Sequence, residues 1–104
     1  MTNIICEEDQ GRYTIIVDGH SDYNPGNDIV CASCSILTYT LLNALANMDT
    51  EEFDSKEYDG GFVIGVKGTK ETCPKVKTVV ETIILGYEML QEQYPDNVTV
   101  NGNY

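Results

Sequence analysis

The hydrophobic positions fall first into two short β-rich runs and then into a long run with helical spacing. Asn3-Ile4-Ile5-Cys6-Glu7 predicts a strand, Glu8-Asp9-Gln10-Gly11 a turn, and Arg12-Tyr13-Thr14-Ile15-Ile16-Val17-Asp18 a second strand rich in β-branched and aromatic residues. Two such runs across a polar turn read as a β-hairpin. Gly19 ends the second strand, and Ser21–Asn27 is a loop crowded with turn formers, among them Asp22, Asn24, Pro25 and Gly26. Asn27 or Asp28 then caps a helix running to about Asn47. Its apolar positions, Val30, Cys34, Leu37, Leu41, Ala44, Leu45 and Met48, recur every three or four residues and form one face to press on a sheet.

Asp49–Asp59 carries six acids against the single Lys56 and is expected to be a solvated connection. Gly60-Gly61 ends it, and Phe62–Lys67 predicts a third strand. Pro74 suits the first position of a second helix, where no backbone donor is needed. Val76, Val79, Val80, Ile83, Tyr87, Leu90 and Tyr94 keep helical spacing until Pro95-Asp96-Asn97, and Val98-Thr99-Val100 is a short last strand. The expected fold is α+β: one domain over residues 1–104, in β-β-α-β-α-β order. A mixed, mainly antiparallel sheet would carry two long helices packed against it, the economical way to bury both apolar stripes.

Charge narrows the partners. With 6 basic and 17 acidic residues in 104, the net charge is −11. Such a surface repels phosphate backbones and anionic lipid, so no direct nucleic-acid or membrane partner is expected. If the charge selects a partner beyond keeping the chain soluble, that partner is basic. Ile29–Met48 is 20 residues without a charge, but Ser33, Ser35, Thr38, Thr40, Asn43 and Asn47 make it too polar for a membrane span. Met1–Gln10 has no basic n-region and runs into Glu7, Glu8 and Asp9, so no signal peptide is expected. The four cysteines are then expected as thiols in a reducing cytosol.

Reactive residue types concentrate in one stretch, Gly19-His20 followed by Asp28-Ile29-Val30-Cys31-Ala32-Ser33-Cys34. With Asp28 as cap, Cys31 sits in the first helical turn, where backbone N–H groups and the positive end of the helix dipole stabilise a negative sulfur. His20 is the only histidine, so a general base near neutral pH is this residue or there is none. A strand-loop-helix unit brings the two ends to the same edge of the sheet. A His beside a helix-start Cys is the ion-pair arrangement of a thiol protease or acyl-transfer site.

Other readings use the same residues. Cys31-Ala32-Ser33-Cys34 is a C-x-x-C at a helix start, as in dithiol redox sites, although a polar loop intervenes between strand and motif. Zinc on His20, Cys31, Cys34 and a carboxylate lacks a second C-x-x-C or a His pair. A non-enzymatic acidic binding module, associated with the ribosome, would use none of these groups. Packing accounts equally for Cys34, on the Val30–Leu37–Leu41 face, and for Cys6 and Cys73.

The order Asp18-Gly19-His20-Ser21-Asp22, a loop with Gly26, Asp28-Ile29-Val30-Cys31-Ala32 and then Ser35 resembles the ribosomal-processing cysteine proteases, the Prp or YsxB-like family. The resemblance extends over the whole chain. It implies a small cytoplasmic, homodimeric thiol protease without cofactor or metal, whose nucleophile corresponds to Cys31 and its partner to His20. It also implies the substrate: a basic large-subunit ribosomal protein, number twenty-seven, whose N-terminal extension is removed in bacteria of the Firmicutes type. The motif carries Gly19, Asp22, Asp28 and Ser35 as supporting residues. Asp22 and Asp28 both remain open as a third member, and Asp28 is as well explained by capping. Helix-start N–H groups are the expected oxyanion donors, and the Gly26 loop is expected to close over the substrate. At Cys34 the family usually has a small apolar residue, so the C-x-x-C is a departure.

Overall fold

The computed structural model describes residues 1–20, 23–24 and 28–104. In chain order the elements are β1 (Thr2–Asp9), β2 (Arg12–Asp18), α1 (Ile29–Ala46), β3 (Thr50–Tyr58), β4 (Gly61–Gly68), α2 (Cys73–Gln93) and β5 (Val98–Gly102). Among the described residues five strands make one sheet in the order β3-β4-β2-β1-β5. All neighbours are antiparallel except β1 and β5, which run parallel. The α+β class, the mixed sheet and the two long helices are as the pattern predicts.

The element order is corrected by one strand. The acidic stretch expected as a solvated connection is β3, paired with β4 from Thr50↔Gly68 to Tyr58↔Gly61. Its burial pattern explains why the sequence hides it. Phe53 is half-buried, but its neighbours at alternate positions, Ser55 and Glu57, are exposed, so no apolar alternation appears. Charge on an edge strand is a physical device, because it discourages pairing with another chain. A register irregularity between Thr50 and Glu52 breaks the pattern further.

The hairpin of β1 and β2 closes through Gln10-Gly11, both at positive φ (50° and 84°). Two such residues make the turn whose twist matches paired strands. One face of the sheet is apolar: Ile4 and Cys6 of β1, Tyr13, Ile15 and Val17 of β2, Ile64 and Val66 of β4, and Val98 of β5. Both helices cover that face. From α1 come Val30, Cys34, Thr38, Leu41 and Leu45, and from α2 Val76, Val80, Ile83, Ile84 and Tyr87. A Cβ on Gly86 of α2 would come within 2.8 Å of the Leu37 side chain, so this glycine lets the helices approach. Pro74 takes the second helical position, after Cys73.

Helix α1 is long and apolar enough to cross a membrane by length and composition, yet its inner face packs on the sheet. Its polar residues are satisfied locally. Ser33, Thr40, Asn43 and Asn47 each donate to the carbonyl four residues back, and so does Thr38, whose hydroxyl also meets the Tyr87 hydroxyl at 2.6 Å. Such bonds let polar side chains sit in a helix without distant partners.

Candidate active site

Cys31 is placed by a cap. Asp28 is the N-cap of α1, with extended backbone angles, and its Oδ1 accepts from Val30 N and Cys31 N, each at 2.9 Å. The other carboxylate oxygen accepts from Tyr23 N at 3.0 Å, tying part of the preceding loop to the helix start. The Tyr23 ring in turn packs edge-on to Tyr94, 5.2 Å between centroids. Desolvation works to raise the Asp28 carboxyl. The hydrogen bonds from Cys31 N–H, Tyr23 N–H, the Cys31 thiol and Val30 N–H outweigh it and hold the group below its ordinary value.

His20 is placed by two backbone ties. Gly19 N donates to Gly60 O at 2.8 Å, fastening the end of β2 to the β3–β4 turn. The Met1 nitrogen donates to the His20 carbonyl. Gly19 has φ +93°, and a Cβ there would lie 2.4 Å from the Met1 carbonyl oxygen, so glycine is required on both counts. The Gly-His pair is thus a backbone requirement followed by a side chain that the requirement aims.

His20 and Cys31 line one cavity of about 220 Å³ where β2 ends beside the β3–β4 turn. Gly19, Cys34, Ser35, Thr38 and Tyr39 line it as well, facing the β3–β4 hairpin residues Glu57, Tyr58 and Phe62. Four predicted residues, Gly19, His20, Cys31 and Ser35, therefore meet in one cleft. Asp28 instead acts at the helix start behind Cys31. Asp22 and the Gly26 loop lie outside the described residues. Among the described residues no cluster of three His, Cys, Asp or Glu side chains is arranged to hold a metal.

Two expectations change. Three N–H groups at the helix start do not stand open for an oxyanion: Val30 N and Cys31 N are taken by Asp28 Oδ1, and Ala32 N donates to Asp28 O at 3.1 Å. Cys34 is 4% exposed and belongs to the core, as its face predicts, but it also borders the cleft that holds Cys31 and His20. Burial is the main cause that pushes the Cys6 thiol up to about 12, with the neighbouring Glu7 charge adding to it. That fits a packing role.

The far end of the cleft lies outside what the sequence pattern predicts. Tyr39 follows Cys31 at helical spacing on the same face, a signal legible in the sequence. Glu57, Tyr58 and Phe62 depend on β3 being a strand. The Tyr39 hydroxyl donates to Glu57 Oε1 at 3.2 Å, and its ring meets Phe62 edge-on at 5.3 Å.

A family model for the cysteine protease Prp matches residues 1–99. The chain belongs to the Prp cysteine protease family. The ribosomal processing cysteine protease Prp of Staphylococcus aureus is 27% identical over 99 residues, 93% of each chain. A crystal structure of the essential Prp protease from that organism, in complex with a covalently linked product peptide, superposes with a TM-score of 0.82. It is 25% identical and covers 99% of this chain and 100% of that one. The structure of SMU.848 from Streptococcus mutans gives a TM-score of 0.73 at 28% identity, covering 98% and 93%. As a Prp family member the protein is a cysteine protease, a hydrolase of peptide bonds, which sets aside the non-enzymatic acidic binding module.

Proposed function

We propose that this protein is an endopeptidase that removes the N-terminal extension of a bacterial large-subunit ribosomal protein, number twenty-seven, through a Cys31–His20 dyad. The observation that carries this reading is the shared cleft: the chain's one histidine and a helix-start cysteine line the same cavity in a Prp family member. The S. aureus relative is named a ribosomal processing protease, and its covalently linked product peptide fits a thiol nucleophile. The net charge of −11 suits a basic substrate.

In this mechanism His20 takes the proton of Cys31, and the thiolate attacks the scissile carbonyl. His20 then protonates the leaving amine, and water releases the acyl group from Cys31. With Val30 N and Cys31 N held by Asp28, the Ser35 hydroxyl, one turn beyond Cys31 on the cleft wall, is the donor at hand for the developing oxyanion. Gly19 fixes the backbone that carries His20. The protein acts in the cytoplasm and as a homodimer in this reading.

Incubation with the ribosomal protein carrying its extension, followed by intact mass, tests it. The expected result is loss of one N-terminal segment with wild type and none with Cys31→Ala. An unchanged mass with wild type, or cleavage by Cys31→Ala, overturns it.

A further inference from the structure

The protease cleft ends on an acid. It follows α1 from Cys31 through Ser35 and Thr38 to Tyr39, and there it meets the end of the edge strand β3. Glu57 is the only carboxylate on its wall among the described residues. Strand alternation puts Glu57 on the helix side of the sheet, paired with Phe62, while Lys56 pairs with Val63 on the opposite face. The one basic neighbour in sequence is thereby turned away from the cleft.

The carboxylate is held but not neutralised. Its partner is the uncharged Tyr39 hydroxyl at 3.2 Å, and Tyr39 is itself braced by Phe62. The ion pairs among the described residues are those of Arg12 with Glu52 and Asp54, in another part of the sheet. The Tyr39 hydroxyl is pushed up, first by its hydrogen bond to Glu57, then by desolvation and by the Glu57 charge, as expected beside an anion. A carboxylate oriented by a neutral donor keeps its charge for a ligand.

We propose that Glu57, positioned by Tyr39, is the specificity residue for a Lys or Arg side chain of the substrate. The distance sets which one. Tyr39 lies eight residues beyond Cys31 on α1, about 12 Å at 1.5 Å per residue. An extended peptide advances about 3.3 Å per residue, so the cation sits three or four residues from the bond that Cys31 attacks. This inference rests on the protease reading of the cleft and adds to it the charge and register of the substrate.

The test uses peptides spanning the extension boundary of the ribosomal protein, with Lys, Gln or Glu placed at each of the second to fifth positions on either side of the cleaved bond. Binding is measured by fluorescence anisotropy on Cys31→Ala, and cleavage on the wild type. Lys at the third or fourth position on one side should bind about fivefold more tightly than Gln. In Cys31→Ala/Glu57→Gln the ratio should fall to one, and in Cys31→Ala/Glu57→Lys a Glu peptide should be preferred. In the cleaving enzyme, Glu57→Gln should raise KM for the Lys peptide and leave kcat unchanged. A Lys preference that survives Glu57→Gln, or that is equal at every position, overturns the inference. Because binding is read on the Cys31→Ala background, that result is independent of whether the wild type cleaves any peptide, which alone decides the protease reading.

Discussion

Asp28 Oδ1 stands 2.9 Å from Cys31 N, so the residue that starts α1 also holds the backbone of the cysteine in the cleft. The same oxygen takes Val30 N, and Oδ2 takes Tyr23 N. One carboxylate thus fixes the helix start and holds the backbone of Tyr23. It also occupies two backbone donors, Val30 N and Cys31 N, at the helix start.

The Asp28 carboxyl titrates lower in the fold than its ordinary value of 3.8. A group with a depressed folded value contributes stability that is present above the unfolded value and lost as pH falls through the folded one. Asp28→Ala should therefore cost about 1 kcal/mol at pH 7, the usual worth of an N-cap. Thermal unfolding should show a midpoint lower by about 4 °C or more. The difference should shrink as pH drops below 3.8. Asp28→Asn, which caps as well, should stay near wild type at neutral pH. An Asp28→Ala penalty that is the same at pH 3 and pH 7 contradicts this account.

The helices and the hairpin were legible because each buries a face with a regular period. Val30, Cys34, Leu41 and Leu45 repeat at helical spacing, and β2 runs from Arg12 to Asp18 as predicted. Residue type narrows the cap to Asn27 or Asp28, and the structure selects Asp28. β3 was not legible, because it lies at the sheet edge and its one half-buried apolar residue, Phe53, stands among acids. Losing the strand meant losing the far wall of the cleft, Glu57 and Phe62 included. Thr38 was also out of view. It is fully buried on a face read as purely apolar, and only the fold supplies the Tyr87 hydroxyl it meets.

That buried pair supports an asymmetric prediction. Thr38 has one hydroxyl proton, and it goes to Cys34 O at 2.8 Å, so Tyr87 is the donor in the 2.6 Å contact between them. Thr38→Val would strand the Tyr87 hydroxyl in the core and should cost about 1–3 kcal/mol. Tyr87→Phe removes the donor and leaves Thr38 bonded to Cys34 O, so it should cost clearly less. Urea unfolding of both variants measures the order, and a larger loss for Tyr87→Phe reverses the assignment of donor.

Thiol chemistry should be selective. Cys6 is fully buried and its thiol is pushed up to about 12, and Cys34 is nearly buried, whereas Cys31 is half-exposed on the cleft. Iodoacetamide at neutral pH should modify Cys31 before Cys6, Cys34 and Cys73. Peptide mass mapping of a time course reads this directly. Equal rates at Cys31 and Cys73 would mean that exposure alone, without the helix start and His20, sets the reactivity.

Substrate capture should weaken with salt. Charges on a surface at −11 attract a basic chain over roughly 8–10 Å at physiological ionic strength, and added salt shortens that range. The association rate of the extended ribosomal protein with Cys31→Ala should fall severalfold between 50 mM and 500 mM salt on the order of magnitude usual for steered encounters. A rate that does not change with salt would assign the acidic surface to solubility.

The dyad is tested by separating chemistry from packing. His20→Ala and Cys31→Ala should each abolish cleavage, since the one histidine and the helix-start cysteine are asked to carry the whole proton and acyl transfer. Cys34→Ser should keep much of the activity. Cys34 packs in the core at 4% exposure, and an unpaired hydroxyl there costs on the order of 1–3 kcal/mol. Part of that cost is recoverable, because a serine in α1 can donate to the carbonyl four residues back, as Ser33 does to Ile29 O at 2.7 Å. The expected signature is a lower melting temperature with cleavage retained. Because Cys34 also borders the cleft, the opposite result has a definite meaning. Loss of activity in Cys34→Ser with the fold intact by circular dichroism would assign the work to the Cys31–Cys34 dithiol and remove the basis for the Cys31–His20 dyad.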